Sequence, residues 1–118
     1  MSALSWLMVA LGGCAGAPAR YLIDGWVRGL RASPMPYGTL TVNLLGSFVL
    51  GAAAAGLDGS AYAFVGTGFC GALTTFSTFS FETWRLAEGG RLTTALLNLG
   101  VSVVGGVLAA ALGWWLVA

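Results

Sequence analysis

The stretch of sequence that decides the fold is residues 66–80, GTGFCGALTTFSTFS. It places three glycines within six residues, follows them with threonines and serines, and carries no charge. Glycine weakens a helix and hydroxyl side chains compete for backbone hydrogen bonds, so the composition predicts an interrupted helix. Broken helices near the middle of a membrane commonly hold ions. We therefore expect the functional centre here; the alternative is a kinked helix with a purely structural role.

Composition places this segment in a membrane protein. The chain has 118 residues, of which 58% are hydrophobic and 8% are charged, whereas about a quarter of the residues of a soluble domain are charged. A membrane-spanning helix needs about 20 apolar residues. The uncharged stretches approach or exceed that length; they are residues 1–19, 33–57, 59–81 and 92–118.

We therefore predict an all-α membrane protein with four transmembrane helices and a break in the third. The single domain, residues 1–118, is expected to place its spans at about residues 4–22, 37–57, 61–86 (broken near 71–78) and 92–117. A soluble bundle is disfavoured because residues 92–118 offer no polar face to water. A cleaved signal peptide is disfavoured because residues 1–19 lack a basic start.

The sequence argues against several functional classes. It contains no histidine and leaves no room for a soluble catalytic domain, so we expect no enzyme and no nucleic-acid partner. Cys14 and Cys70 lack metal-site spacing and are interpreted as packing residues. A small proton-coupled drug exporter would need a carboxylate buried in the membrane. The acids are instead expected to be solvated or interfacial; they are Asp24, Asp58, Glu82 and Glu88.

Sparse hydrogen-bond donors in apolar spans suit an anion that must lose part of its hydration shell. Aromatic ring edges carry partial positive charge and add a second means of contact. Taken singly, such residues more often pack helices together, and a membrane scaffold stays an alternative. The candidate donors are Asn43, Ser77, Thr78, Asn98 and Ser102, and the candidate rings are Phe76 and Phe79.

Three blocks carry a specific resemblance. Residues 12–21 (GGCAGAPARY), 38–48 (GTLTVNLLGSF) and 68–79 (GFCGALTTFSTF) closely resemble, in the same order, blocks of the Fluc/CrcB fluoride channels. The resemblance implies a fluoride-selective channel in the bacterial plasma (inner) membrane that exports fluoride passively. It also implies an antiparallel dual-topology dimer embedded in lipid, with two pores and a central structural sodium ion.

The resemblance also assigns roles to residues. Asn43 becomes a pore-lining amide, Phe76 and Phe79 become fluoride-facing rings, and hydroxyls along the same path come from Ser77 and Thr78. The sodium ligands would be the main-chain carbonyls of Gly71 and Thr74. Arg20 would draw anions into a vestibule, unless it is only an interfacial arginine. The last helix matches less well: Asn98 and Ser102 keep polar groups, whereas Gly106 does not.

The arginines predict an orientation. All five lie on the side opposite the termini and the 57–60 turn, and such a bias favours a cytoplasmic location. A homodimer is our first expectation, and a paired, oppositely inserted sister subunit is the alternative. Mapping the exposure of the termini in cells distinguishes them: an even split between the two sides excludes the need for a partner, and a single orientation supports one.

Overall fold

The computed structural model describes residues 2–118, and all the regular structure in that range is helical. Helix α1 is Ala3–Leu30 and α2 is Tyr37–Gly56. Helix α3 combines an α-helical turn at Gly59–Tyr62, a π-helical stretch at Ala63–Cys70 and a last turn at Gly71–Leu73. Two further helices follow: α4, Phe76–Glu88, and α5, Leu92–Val117. The all-α prediction is confirmed.

Three of these helices are long and apolar enough to cross a membrane: α1, α2 and α5. Helices α3 and α4 together form a bent helix in place of a fourth continuous span. The longest dimension, 48 Å, is close to the roughly 40–45 Å of a bilayer with its headgroups. Large apolar side chains cover the outer faces of the helices, as lipid contact requires; examples are Leu7, Leu22, Val107 and Leu108.

Helix α1 is longer than the sequence predicted. The span was expected at about residues 4–22, and the helix continues without interruption beyond it to Leu30. Pro18 lies inside it; although proline donates no backbone hydrogen bond, membrane helices tolerate it where neighbouring helices support the backbone. The extension carries Asp24 and Arg28 on a rigid helix toward the start of α2 and toward α4.

Glycines bring the helices together in two pairs. Gly12 and Gly16 of α1 lie against the backbone of Phe64 and Phe69 in α3, where a side chain would overlap main-chain atoms. In the second pair, α2 and α5 meet where Gly51 faces the carbonyl of Ala110. Small residues allow such close approach in membranes, where van der Waals packing takes the place of the hydrophobic effect. These two pairs fix the scaffold around the bent helix.

The bend lies at Thr74 and Thr75. Both have extended backbone, with φ −82° and ψ 161° at Thr74 and φ −148° and ψ 122° at Thr75. The Thr75 hydroxyl accepts a hydrogen bond from the Thr78 amide at 3.2 Å and so caps the first turn of α4. The interruption therefore has a defined geometry, with α3 ending and α4 beginning within two residues.

Gly12 provides a test of the close packing between α1 and α3. Gly12→Ala should lower the free energy of unfolding by about 1–3 kcal/mol, because the new methyl group overlaps rigid backbone. Gly13→Ala is the matched control: its methyl group would lie 4.0 Å from the Ala72 Cβ, so stability should hold or rise by up to about 1 kcal/mol. Denaturant titration in detergent micelles measures both, and equal losses would contradict this packing.

Candidate functional site

The centre of the site is the contact between Asn43 of α2 and the bend. The Asn43 Oδ1 accepts a hydrogen bond from the Thr75 amide at 2.8 Å, and Nδ2 donates to the Thr75 carbonyl at 3.0 Å. One amide side chain thus satisfies both main-chain groups of a residue that has left the helix. Its second Nδ2 hydrogen is not used by this pair, and Asn43 also lines a cavity.

The bend diverts two amides from their helical partners. In a continuous helix the Thr75 amide would bond the Gly71 carbonyl, and the Thr78 amide would bond the Thr74 carbonyl. Here those amides donate instead to Asn43 Oδ1 and Thr75 Oγ1. The carbonyls of Gly71 and Thr74 are therefore released from helical hydrogen bonding, while the positive end of the α4 dipole begins beside them.

A cavity of about 540 Å³ lies on this side of the bend. It brings together many of the residues that the sequence singled out, on α2, α3, α4 and α5. Apolar walls alternate with a few hydroxyl and amide groups, which is the lining expected of a path for a partly dehydrated ion. The predicted residues that line it are Asn43, Gly71, Thr74, Phe76, Phe79 and Ser102.

The two rings at this cavity differ in environment. Phe79 is buried, whereas Phe76 is 79% exposed. Their centroids lie 6.0 Å apart with 49° between the planes, so both rings border the same space in a tilted arrangement. A side chain as apolar and as exposed as Phe76 requires a cover, from lipid or from another protein surface.

Asn98 is placed differently from Asn43. It is fully buried between α5 and α4, where its Nδ2 donates to Thr83 Oγ1 at 2.8 Å. Thr83 in turn donates to the Phe79 carbonyl at 2.8 Å, and Ser102 donates to Asn98 Oδ1 at 3.3 Å. These three hydrogen bonds connect the cavity residue Ser102 to the backbone of Phe79, so Asn98 holds the helix that carries the Phe79 ring in position.

The remaining predicted residues lie away from this cavity. Ser77 is exposed and lies 3.5 Å from the Thr75 hydroxyl, and Thr78 lines a second cavity near the α4–α5 turn. Arg20 is half-buried on α1. Of the cysteines, Cys70 is buried as expected of a packing residue, whereas Cys14 is exposed.

Sequence reasoning missed two features. Thr83 shares a helix face with Phe76 and Phe79, and that spacing was the available signal. The other feature is an ion pair: Arg28 binds Glu82 of α4 at 2.7 Å, and the Glu82 side chain is only 18% exposed. Glu82 was expected to be solvated or interfacial. Its burial follows from the extension of α1, which no local pattern indicated.

Comparison with known proteins gives a consistent result. Residues 7–114 match the family model described as CrcB-like protein, Camphor Resistance (CrcB). The chain is 54% identical over 107 residues to the fluoride-specific ion channel FluC 1 of Nocardia farcinica, covering 87% of this chain and 75% of that protein. It is 50% identical over 104 residues to the fluoride-specific ion channel FluC of Methanocaldococcus jannaschii, covering 84% and 82%.

A third relative covers still more of the sequence. The fluoride-specific ion channel FluC 2 of Mycobacterium tuberculosis is 47% identical over 112 residues, covering 94% of this chain and 89% of that protein. The family match, residues 7–114, includes the bend and the glycine contacts of both helix pairs.

The Asn43 contact can be tested directly. Asn43→Ala removes both hydrogen bonds to Thr75 and leaves the Thr75 amide and carbonyl unpaired. This loss should destabilise the fold by about 2–4 kcal/mol. Hydrogen exchange at the Thr75 amide should be faster in the Asn43→Ala variant than in the parent protein. Thr41→Val on the same helix is the control, because the Thr41 hydroxyl donates only to the carbonyl of Tyr37 one turn before it. Unchanged exchange at Thr75 in the alanine variant would refute the contact.

Proposed function

The chain belongs to the CrcB-like family, and on that premise we propose that it is a fluoride-selective channel that lets fluoride leave the cell passively. The observation that carries the proposal is the bend held by Asn43, which places the positive end of a helix beside a cavity lined by two phenylalanine rings. The names of the relatives quoted above support the choice of ion.

The cavity lining suits a small anion in transit. Asn43 keeps one amide hydrogen for an ion, Ser102 offers a hydroxyl, and the Phe76 and Phe79 edges offer weak positive charge. Each replaces part of a hydration shell without the tight binding that a fixed charge would impose. Ser77 and Thr78 add hydroxyls on the first turn of α4, and Asn98 keeps Phe79 in place through Thr83.

We propose that two copies form an antiparallel dimer with two pores. The exposed face of Phe76 and the open space around Gly71 support this arrangement, because a second copy would cover both while completing the cavity wall. A homodimer is the simpler assembly. A paired sister subunit is favoured only by the one-sided arginines.

We propose that a structural sodium ion binds at the bend. The carbonyls of Gly71 and Thr74 are released from helical bonding, and carbonyl oxygens are the ligands that hard cations take. No group of three or more acidic, cysteine or histidine side chains lies together in residues 2–118, so main-chain oxygens are the natural ligands there. Bound at the dimer axis, the ion would supply a positive charge that favours a nearby anion.

The proposed location is the plasma membrane of a bacterial cell, which agrees with three apolar helices of spanning length. Hydrogen fluoride crosses membranes in its protonated form and ionises inside, which traps fluoride. A negative interior then drives the anion outward through a passive pore. Export needs no other energy source under these conditions.

Fluoride efflux from liposomes containing the purified protein tests the proposal. We expect rapid efflux of fluoride and no comparable efflux of chloride, even when chloride is in excess. The rate of fluoride efflux should fall at least about tenfold in Phe79→Ile, because the ring edge is removed. Phe48→Ile is the matched control, because Phe48 contributes no ring to the cavity lining. Both variants should elute like the parent protein on size exclusion.

A second experiment tests whether the sodium ion is needed. Protein prepared with a bulky organic cation in place of sodium should lose efflux and dimer together and recover both when sodium returns. Efflux indifferent to sodium would remove the ion from the proposal and leave the channel in place. No efflux from the parent protein under any of these conditions would support the paired sister subunit or the scaffold alternative instead.

A further inference from the structure

A second cavity, of about 610 Å³, opens at the end of the molecule opposite the termini. It lies between the α1–α2 loop and the α4–α5 turn, and it is lined by three of the five arginines together with one carboxylate. Its wall also includes a hydroxyl from the first turn of α4. The residues that matter here are Arg28, Arg85, Arg91, Glu82 and Thr78.

The positive charge of Arg28 is already used. Its Nε donates to Asp24 at 2.7 Å and its Nη2 donates to Glu82 at 2.7 Å and to Thr39 at 3.4 Å. Arg85 instead lies with its guanidinium 5.7 Å from the centre of the Phe81 ring. Within residues 2–118, neither Arg85 nor Arg91 has a carboxylate within ion-pair distance. The cavity therefore presents two uncompensated positive charges.

Glu82 is the group that would oppose an anion in this cavity. Its Oε2 binds Arg28, while its Oε1 is buried and has no hydrogen-bond partner in the described chain. A mostly buried carboxylate without a counter-charge would repel any anion that approached. The ion pair with Arg28, which also binds Asp24, reduces that repulsion, so the long α1 helix provides a partly compensating charge.

Thr78 connects this cavity to the bend. Its side chain lines the cavity, and its amide donates a hydrogen bond to the Thr75 hydroxyl, next to the Asn43 contact. One helical turn of α4 thus separates the arginine-lined cavity from the cavity of Phe76 and Phe79. Thr78 is thus the point at which the arginine-lined cavity borders the first turn of α4.

We infer that this cavity is the mouth at which anions are collected before they enter the pore, with Arg85 and Arg91 attracting the ion and Arg28 partly compensating the charge of Glu82. The inference rests on the proposed channel function and assigns the vestibule to these arginines, whereas Arg20 lies about two helical turns earlier on α1. In an antiparallel homodimer the two copies would present one such mouth on each side of the membrane.

The first experiment removes the attracting charges. Arg85→Gln/Arg91→Gln should raise the half-saturating fluoride concentration for flux by about threefold or more at low ionic strength and leave the maximal rate within about twofold. Raising an impermeant salt from about 0.01 M to about 0.15 M should erase the difference, because the screening length falls from about 30 Å to about 8 Å. Equal half-saturation in variant and parent would overturn the inference.

The control is Arg31→Gln, which removes one arginine from the same end of the molecule. Arg31 stacks over the Tyr37 ring at 5.2 Å and is not part of the cavity wall. Its half-saturation should match the parent. A shift as large as that of the cavity variant would mean that surface charge alone attracts the anion, which also overturns the inference.

The second experiment isolates Arg28. Arg28→Gln leaves Glu82 uncompensated and should lower fluoride flux about tenfold or more, and Arg28→Gln/Glu82→Gln should return it to within about threefold of the parent. A merely structural ion pair would lower the amount of folded protein that elutes on size exclusion and leave the flux per folded protein unchanged. A double variant as slow per folded protein as the single one contradicts the inference. A parent protein without fluoride flux would defeat the proposed function itself, so the two failures are distinguishable.

Discussion

The structure depends on one contact, the pair of hydrogen bonds between the Asn43 amide and the main chain of Thr75. A break in a helix at membrane depth leaves polar backbone groups without water, and each unpaired group costs several kcal/mol there. Asn43 supplies a donor and an acceptor from a neighbouring helix. With it in place, α3 can end at Leu73 and α4 can begin at Phe76 without unpaired groups on Thr75.

Holding the chain in this way gives the break two chemically different ends. At the end of α3 the carbonyls of Gly71 and Thr74 are released from helical hydrogen bonding, and free carbonyls suit a cation. The first turn of α4 presents amides and hydroxyls, which suit an anion. The glycine-packed pairs α1–α3 and α2–α5 keep these ends fixed. Packing that tight lets α2 reach the bend with a side chain as short as asparagine.

The same scaffold explains the charged end of the molecule. Because α1 runs on to Leu30, Arg28 reaches Glu82, 54 residues later in the chain, and compensates a carboxylate that would otherwise face the arginine-lined cavity alone. Hydropathy alone would end α1 near its first arginine. The helix continues because the groups beyond Pro18 find partners on α2 and α4.

The sequence by itself determined the helical class, the apolar stretches and the weak point of the third helix, and it singled out Asn43, Phe76 and Phe79 as candidates. These follow from hydropathy, helix propensity and local motif, which are properties of neighbouring residues. Only the tertiary structure decided which groups meet: Asn43 with Thr75, Asn98 with Thr83, and Arg28 with Glu82. Such partners are set by how closely helices approach, and that distance depends on the packing of residues far apart in the chain.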